Sequence, residues 1–580
     1  MKNSFKLSIA ALIVAGLSVQ PAMAGGKDAA TAAPKGQGEL GIVVINPYKI
    51  APLTAIIDLG GKRLTNAEVT IRAKGKKGID ISYDVQRKAI LTHNGIPLFG
   101  LYANYMNVID VKYQLESGEW KNETYKVQTQ PIYTNAVDGQ LAPFPENNVQ
   151  KVAKGFEDRL YFILGTQRDL ESKNMQWSRG GAADWNSHPS YNYVTDTAGD
   201  VRWYLSPFRF DGTDSNEMRG VMMGWHQMDN GEMIVAKGQS YMRYDLLGRK
   251  VFERRLPRGY IDHSHEIIAT DHGTYMIRVA KKDYHRPDGK VVNTVRDYII
   301  EIDATGNVVE EWDLNTILDP TRDVLIKALD SSAVCLNIDM DKMGKKVELE
   351  PDAPFGDHAG IGTGRNWSHV NSIDYDAKDD SIILSLRHQG TVKVGRDKKV
   401  KWILAGNVGW KGLSDKVLTP VDDKGRKLDC NRGVCEGDFD FPWTQHTAWL
   451  TDRDTLTVFD NGDGRGFDQP AMPTMKYSRG VEYKIDEDKM TVEQVWEYGK
   501  ERGYDWYSAV TSNVNYMSDK DSMLMFSASA GLFDKGRSHP ILTEVSADQD
   551  KDIKVEIRIN HVAPRLVMYR AQVLDVELAF

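Results

Sequence analysis

Cysteine is scarce in this chain, with three residues in 580: Cys335, Cys430 and Cys435. So few thiols exclude a disulfide-stapled scaffold, and the single close pair, in CNRGVC, lacks the second pair of a four-thiolate zinc site. Long apolar runs are also missing. Past the N-terminus no stretch approaches the roughly 18 apolar residues of a membrane-spanning helix, so no membrane partner is expected. Positive charge is not in excess, since 73 Lys and Arg face 81 Asp and Glu for a formal net charge of −8. That balance excludes a general nucleic-acid partner, and any anion must be met by a local cluster of cations. The glycines of GIGTGR fit neither GxxxxGK[ST] nor a strand-to-helix GxGxxG. No nucleotide or other cofactor is expected.

What is present begins with MKNSFKLSIAALIVAGLSVQPAMAGG, where Lys2 and Lys6 precede an apolar run and then Ala22, Met23 and Ala24. This is the pattern of a secretory signal, residues 1–24, cleaved after Ala24. Residues 25–38 are small and polar and read as a flexible leader. Export makes a Cys430–Cys435 disulfide the expected state, leaving Cys335 unpaired. Closing so short a loop is worth only about 2 kcal/mol by chain entropy. Its expected value is local, in fixing the loop that leads to His446.

Fifty glycines, 13 tryptophans and 25 tyrosines favour an all-β chain with many turns. From 39 to 145, runs such as GIVVIN, TAIIDLG, AEVTIRAKG and NVIDVKYQL, parted by GG, KG and NG turns, predict a small β-sandwich domain. APFPENN marks its end. From 146 to 580, six hairpins recur: 193–205, 244–256, 300–314, 392–404, 483–498 and 543–559. Each puts an Asp- or Gly-based turn between two strands, and together they predict a six-bladed β-propeller. Insertions fall between hairpins three and four and between four and five; in the first, DLNTILDPTRDVLIKALD reads as helix broken at Pro320.

Four histidines stand ahead of matching strands: His226 before GEMIVAKG, His265 before GTYMIRVA, His369 before SIILSLR and His446 before TLTVFDN. Nine residues separate His265 from Thr274, His446 from Thr455, and the equivalent Asn513 from Ser522. Taking each following strand as the innermost of its blade puts these residues at one mouth of the central channel. YFILG, 161–165, takes that place in the first blade. Arg387 ends the strand after His369 and brings a guanidinium that can hold two oxygens of an anion. Glu266 follows His265 directly, and strand alternation turns it away. His263, His358 and His388 read as structural, and Tyr507 in GYDWYSAV is either core or a stacking surface for a ring.

A ring of imidazoles admits two chemistries. Neutral nitrogens bind a divalent metal, as in a propeller esterase or lactonase, or one imidazole is a nucleophile while its neighbours bind an anion. Arg387 and the lack of carboxylates at the aligned positions favour the second, with no metal. A propeller that only binds a ligand on its top face remains the non-enzymatic reading.

DCNRGVCEGDFDFPWTQHTAWL, with IDHSHEI, NWSHVNSI and SLRHQG, resembles the bacterial arylsulfate sulfotransferases over nearly the whole mature chain. The resemblance implies a periplasmic six-bladed propeller enzyme with an N-terminal β-sandwich, acting as a homodimer. It implies transfer of a sulfuryl group from a phenolic sulfate donor to a phenol acceptor without a nucleotide donor. By the matching positions His446 is the nucleophile that becomes sulfohistidine, and His265, His369 and Arg387 bind the sulfate. His226, Asn513 and Tyr507 are further candidates by register or position alone. The disulfide implies a periplasmic thiol oxidase as maturation partner.

Overall fold

The hairpin turns explain why this sequence folds into repeated four-strand units. In the turn after Ser190–Asp196, Asp196 Oδ1 accepts from the backbone N–H groups of Ala198 and Asp200, and Gly199 takes φ 87°. The same bond pair recurs from Asp245 to Leu247 and Arg249, and from Asp303 to Thr305 and Asn307, with Gly248 and Gly306 at φ 87° and 95°. A short carboxylate that bonds its own turn, followed by a residue free to take positive φ, fixes where each strand reverses.

The computed structural model describes residues 38–580 apart from 136–140, 143, 168–189, 206–221, 238, 330–354, 468–475, 533–537 and 561–565. The signal sequence, nearly all of the leader and Cys335 lie outside the described residues, as does the side chain of His358.

Two antiparallel sheets form the N-terminal unit. One orders Ile42–Ile45, Thr54–Asp58 and Gly95–Phe99; the other orders Ile81–Gln86, Leu64–Ile71, Met106–Leu115 and Trp120–Gln128. Alternation along Ile81–Gln86, buried then exposed, sends Tyr83 and Val85 into a core shared with Ile57, Leu98 and Phe99. A short helix, Arg87–His93, was not anticipated.

Six sheets follow, each built on four antiparallel strands, with Tyr260–Ile261, Thr419–Val421 and Glu146–Val152 adding one more strand to the third, fifth and sixth; all six predicted hairpins are the third and fourth strands of the antiparallel set. The innermost strands are Leu566–Val573, Met222–Gln227, Ile267–Ala269, Val370–Asp376, Thr447–Leu450 and Asn513–Met517, and successive ones touch around the hub. The strands read from sequence as innermost, such as Met233–Lys237 and Ser381–Leu386, are therefore the second in each blade. For His265, His369 and His446 a short segment between the histidine and that second strand is itself a strand.

The first blade departs further, because Leu160–Gln167 is also a second strand and the chain's last strand, Leu566–Val573, fills the inner place. At the other end Glu146–Val152 adds a fifth strand outside the last blade. Both ends of the propeller segment thus lock the ring. Asn513 completes the closure: its Oδ1 accepts from the Ala571 N–H at 2.9 Å and its Nδ2 donates to the Ala571 carbonyl at 2.7 Å.

Blades are also latched from outside. Trp203, Trp312 and Trp496 on the fourth strands of their blades donate their indole N–H to carbonyls of the next blade's turn, at Leu246, Gly395 and Asp548, and Trp402 donates to Glu487. Each is a large apolar ring with its one polar atom satisfied. The N-terminal unit packs on the first two blades, where Arg202 donates to the carbonyls of Gly100 and Ile79 and stacks on Tyr102. The predicted helical insertion is two short helices, Leu314–Ile317 and Val324–Ala328, on either side of Pro320.

Candidate functional site

The backbone bends just ahead of the inner strands and aims the imidazoles into the hub. His265 and His369 take φ 73° and 53°, a conformation that costs a non-glycine residue about 1 kcal/mol or more and persists only where the surroundings enforce it. The His369 carbonyl accepts from the Arg387 N–H at 3.0 Å, which ties the bend to the second strand. Three rings converge: the His265 centroid lies 5.4 Å from that of His369 and 6.0 Å from that of His446. Tyr569, from the closing strand, stands 5.2 Å from His446.

Each imidazole has a defined partner. His446 places Nδ1 3.1 Å from the Ser512 carbonyl, which can only accept, so the ring proton sits on Nδ1 and Nε2 carries the lone pair. His369 Nε2 lies 2.9 Å from Nη1 of Arg296, and His265 Nε2 lies 3.5 Å from the same atom. A guanidinium only donates, so a ring nitrogen that bonds it accepts; His369 also meets the Asn366 amide nitrogen at Nδ1, and a neutral ring accepts from one of these two donors. Arg296 Nη2 donates to Asp357, whose other oxygen accepts from Asn366 at 2.7 Å. The Asn366 amide in turn lies 2.8 Å from Nδ1 of His369.

Arg387 is buried beside this group and reaches across blades. Nη1 donates to the Thr444 carbonyl and Nη2 to that of Ala509, both at 2.8 Å, while Asp463 lies 3.4 Å from Nη2. Tyr507 donates to Asp463, which Lys476 also approaches at 2.9 Å. Tyr507 is thus held in that charged cluster, with Tyr504 stacked on it at 5.5 Å. Asn513, as described, is engaged with the closing strand.

His226 is not level with the other three. Counted from the turn, its neighbour Gln227 pairs with Met233 as Ala269 pairs with Tyr275 and Leu450 with Leu456, so His226 matches Ile268 and Trp449. It sits further along the channel, its ring 6.0 Å from that of Trp449. Met223 takes the place beside His265, its sulfur 3.2 Å from the His265 N–H. Glu266 turns away from His265 and links the two levels: one oxygen lies 2.7 Å from His226 Nε2 and the other accepts from Arg570 at 2.7 Å. Arg570 also donates to the Asn371 carbonyl, and its guanidinium lies 5.0 Å from the rings of Tyr569 and Trp449.

The hub is therefore cationic, and its histidines are neutral. Burial, then Arg296 and Arg278, holds His265 well below the usual histidine range; burial, then Arg296 and His388, does so for His369. For His446 the causes are burial, then Arg570 and Arg387. Buried His263 and His388 are each lowered to about 3, chiefly by burial. Burial raises Asp374 to about 7 and Asp297 to about 6, which acts in the opposite sense. A histidine whose folded value lies below its unfolded value of about 6.5 contributes fully above that pH and loses about 1.4 kcal/mol per unit below it. With these five histidines against two such aspartates, the melting temperature is expected to fall steeply from pH 6.5 to pH 5. A flat thermal-melt profile over that interval would show that these rings are not held neutral.

Metal binding fits poorly. A cation would have to share the His265 and His369 nitrogens with the guanidinium that already faces them. Among the described residues the group of potential ligands that lies close enough is Asp376, Asp379 and Glu487, and the Lys393 ammonium bonds all three.

Cys430 and Cys435 are disulfide-bonded across a tight hairpin, Cys430–Asn431 with Val434–Cys435. Arg432 and Gly433 both take positive φ, as a two-residue hairpin turn requires. A Cβ on Gly433 would stand 2.9 Å from the Trp443 ring. The cystine hairpin therefore packs against the segment Trp443–Thr444–Gln445 that delivers His446, and Trp443 is fixed further through Asp460 and Asp440.

Sequence reasoning missed Arg296, Asp357, Asn366, Arg570 and Ser512. Arg570 belongs to the first blade but arrives on the last strand, so no count within a repeat finds it. Arg296 follows an extra hairpin, Tyr284–His285 with Val291–Val292, that has no counterpart in the repeat. The available signal was an arginine at the foot of an apolar strand in TVRDYIIEI and inside one in LVMYRAQV.

Comparison with known proteins places these features. Residues 146–570 match the model described as Arylsulfotransferase (ASST), and residues 42–130 match Arylsulfotransferase Ig-like domain. The arylsulfate sulfotransferase AssT of Escherichia coli O6:H1 is 46% identical over 580 residues, 96% of each chain. The arylsulfate sulfotransferase AssT of Lelliottia amnigena is 46% identical over 565 residues, 94% of each chain. Among solved structures, the WD40 domain of Toxoplasma gondii coronin aligns over 71% of this chain and 78% of its own at 8% identity, but its TM-score of 0.27 carries no weight.

Proposed function

The chain belongs to the arylsulfotransferase family, and from that premise we propose that this arylsulfate sulfotransferase works in two steps through a sulfohistidine at His446. The observation that carries the reading is the Ser512 carbonyl on Nδ1, which leaves Nε2 of a neutral, buried ring as the nucleophile. In the first step Nε2 attacks sulfur, the N–S bond forms, and the S–O bond breaks with its electron pair leaving on the aryl oxygen. In the second, a phenol oxygen attacks the same sulfur and the N–S pair returns to Nε2. The phenolic proton goes to a neutral imidazole, His265 or His369.

Little covalent chemistry is asked of the protein; alignment and charge on the three sulfuryl oxygens set the rate. Arg387 supplies that charge in this reading, beside the neutral rings of His265 and His369 at the hub where Arg570 and Arg296 add to the positive field. A hydrolase using a metal would place its cation against Arg296, which the site disfavours.

The same reading includes export to the periplasm by residues 1–24, cleavage ahead of a leader ending at 38, a sandwich to 145 and the catalytic propeller beyond it. A periplasmic thiol oxidase would form the Cys430–Cys435 bond, and the enzyme would act as a homodimer. Initial rates measured with donor and phenol both varied test the two-step scheme. Parallel double-reciprocal lines are expected, and intersecting lines would contradict it.

A further inference from the structure

Arg296 holds a place in the hub that its share in the positive field does not exhaust. Its guanidinium is buried, with the side chain 1% exposed. Nη1 points to where the Nε2 atoms of His265 and His369 converge, at 3.5 and 2.9 Å. An anionic oxygen that takes over Nη1 from these ring contacts gains the guanidinium as its donor. Arg387 is turned differently, with both terminal nitrogens donating to the backbone carbonyls of Thr444 and Ala509.

Orientation is fixed from behind. Asp357 accepts from Nη2, and Asn366 ties that carboxylate to the His369 ring through contacts of 2.7 and 2.8 Å. The arrangement is a guanidinium clamped on one side by a carboxylate and presented on the other to two neutral rings. Imidazole nitrogen is a weak partner for a buried cation, whereas an anionic oxygen makes a charge-assisted bond about twice as strong as a neutral one.

We infer that Arg296 is a further anion-binding residue of this site, set by Asp357 to hold a sulfuryl oxygen through Nη1 in place of its contacts with His265 and His369. The inference rests on the sulfuryl-transfer reading for its substrate, and on geometry alone for its anion. Its position explains the pairing of Asn366 with both Asp357 and His369: the ring and the guanidinium are aligned by one side-chain bridge. Guanidinium geometry matters, since a lysine ammonium cannot reach the carboxylate and the ring site with two fixed nitrogens.

The test compares the full-length oxidised enzyme with Arg296→Gln, Arg296→Lys and Asp357→Asn, each first shown by thermal melting to be folded. Inorganic sulfate binding is read by calorimetry, and turnover of a nitrophenyl sulfate with a phenol acceptor by kcat and KM. Sulfate affinity is expected to fall about tenfold or more in R296Q, with kcat/KM for the donor down about 10²- to 10³-fold, the scale for removing one oxyanion donor. R296K should recover part of the affinity. D357N, which keeps the charge but frees it, should lower kcat more than affinity. R296Q with unchanged sulfate affinity and kcat/KM within threefold of the parent would overturn the inference, as would a parent enzyme that binds no sulfate. If the parent binds sulfate, R296Q does not, and neither transfers a sulfuryl group, the anion site stands and the sulfuryl-transfer reading fails. Should R296Q not fold, the other two variants carry the test: equal sulfate affinity in R296K together with unchanged kcat in D357N overturns the inference.

Discussion

Replacing His446 with alanine is expected to lower aryl sulfate turnover by about four orders of magnitude or more, the scale of loss when a covalent nucleophile is removed. The fold should survive, because the ring makes one polar contact, to the Ser512 carbonyl, and the inner strand is held by the His446 N–H on the Phe459 carbonyl at 3.0 Å. The cost to stability is that of a buried ring, about 3 kcal/mol. Donor binding should change far less than kcat, since Arg387, Arg296 and the other two histidines remain. A folded His446→Ala protein that kept more than a tenth of parental kcat would remove His446 from the chemistry.

Glu266→Ala is expected to be the most destabilising change in the hub, at about 3–5 kcal/mol, because it leaves a buried arginine without its counter-charge. Glu266 is fully buried and divides its two oxygens between His226 and Arg570, each at 2.7 Å. Arg570 is almost as buried, and its second nitrogen reaches the Asn371 carbonyl of the fourth blade. Losing the carboxylate therefore loosens the closing strand and the cation beside His446 together. The double variant Glu266→Ala with Arg570→Met should recover most of the stability, since an apolar replacement of a buried pair is often neutral or better. Activity should not return with it. Urea unfolding of the three proteins decides the matter: a Glu266→Ala loss under 1 kcal/mol, or no recovery in the double variant, would show that the pair does not close the ring.

The six hairpins were legible because their turns are local chemistry, an Asp that bonds its own backbone and, in three of them, a glycine that takes positive φ, as at Asp303 and Gly306. The helical break at Pro320 was legible for the same reason. His265, His369 and His446 could be aligned because each stands one or two residues ahead of its inner strand, a spacing that the blade geometry preserves. Innermost strands as short as Ile267–Ala269 and Thr447–Leu450 carry too few residues to show periodicity, so the longer second strands were read in their place. His226 misled for that reason. It precedes a second strand as the others do, yet lies inside its inner strand rather than before it.

Ring closure hides sequence information more thoroughly. Arg570 and Tyr569 meet residues some 300 and 120 positions earlier, at Glu266 and His446, and only pairing of the last strand with Leu160–Gln167 brings them there. Arg296 sits beyond an insertion that breaks the repeat count, although it faces two of the histidines that the count found. Local rules thus located the rings, and long-range topology supplied the charges around them.

The central claim is that His446 carries the sulfuryl group between the two half-reactions. Brief exposure of the enzyme to an aryl sulfate without acceptor, followed by a quench mild enough to preserve an N–S bond and peptide mass spectrometry, tests it directly. The account predicts one added SO3 on the peptide that contains His446, lost again when a phenol is supplied. Modification of a different residue, or none while turnover proceeds, would contradict it.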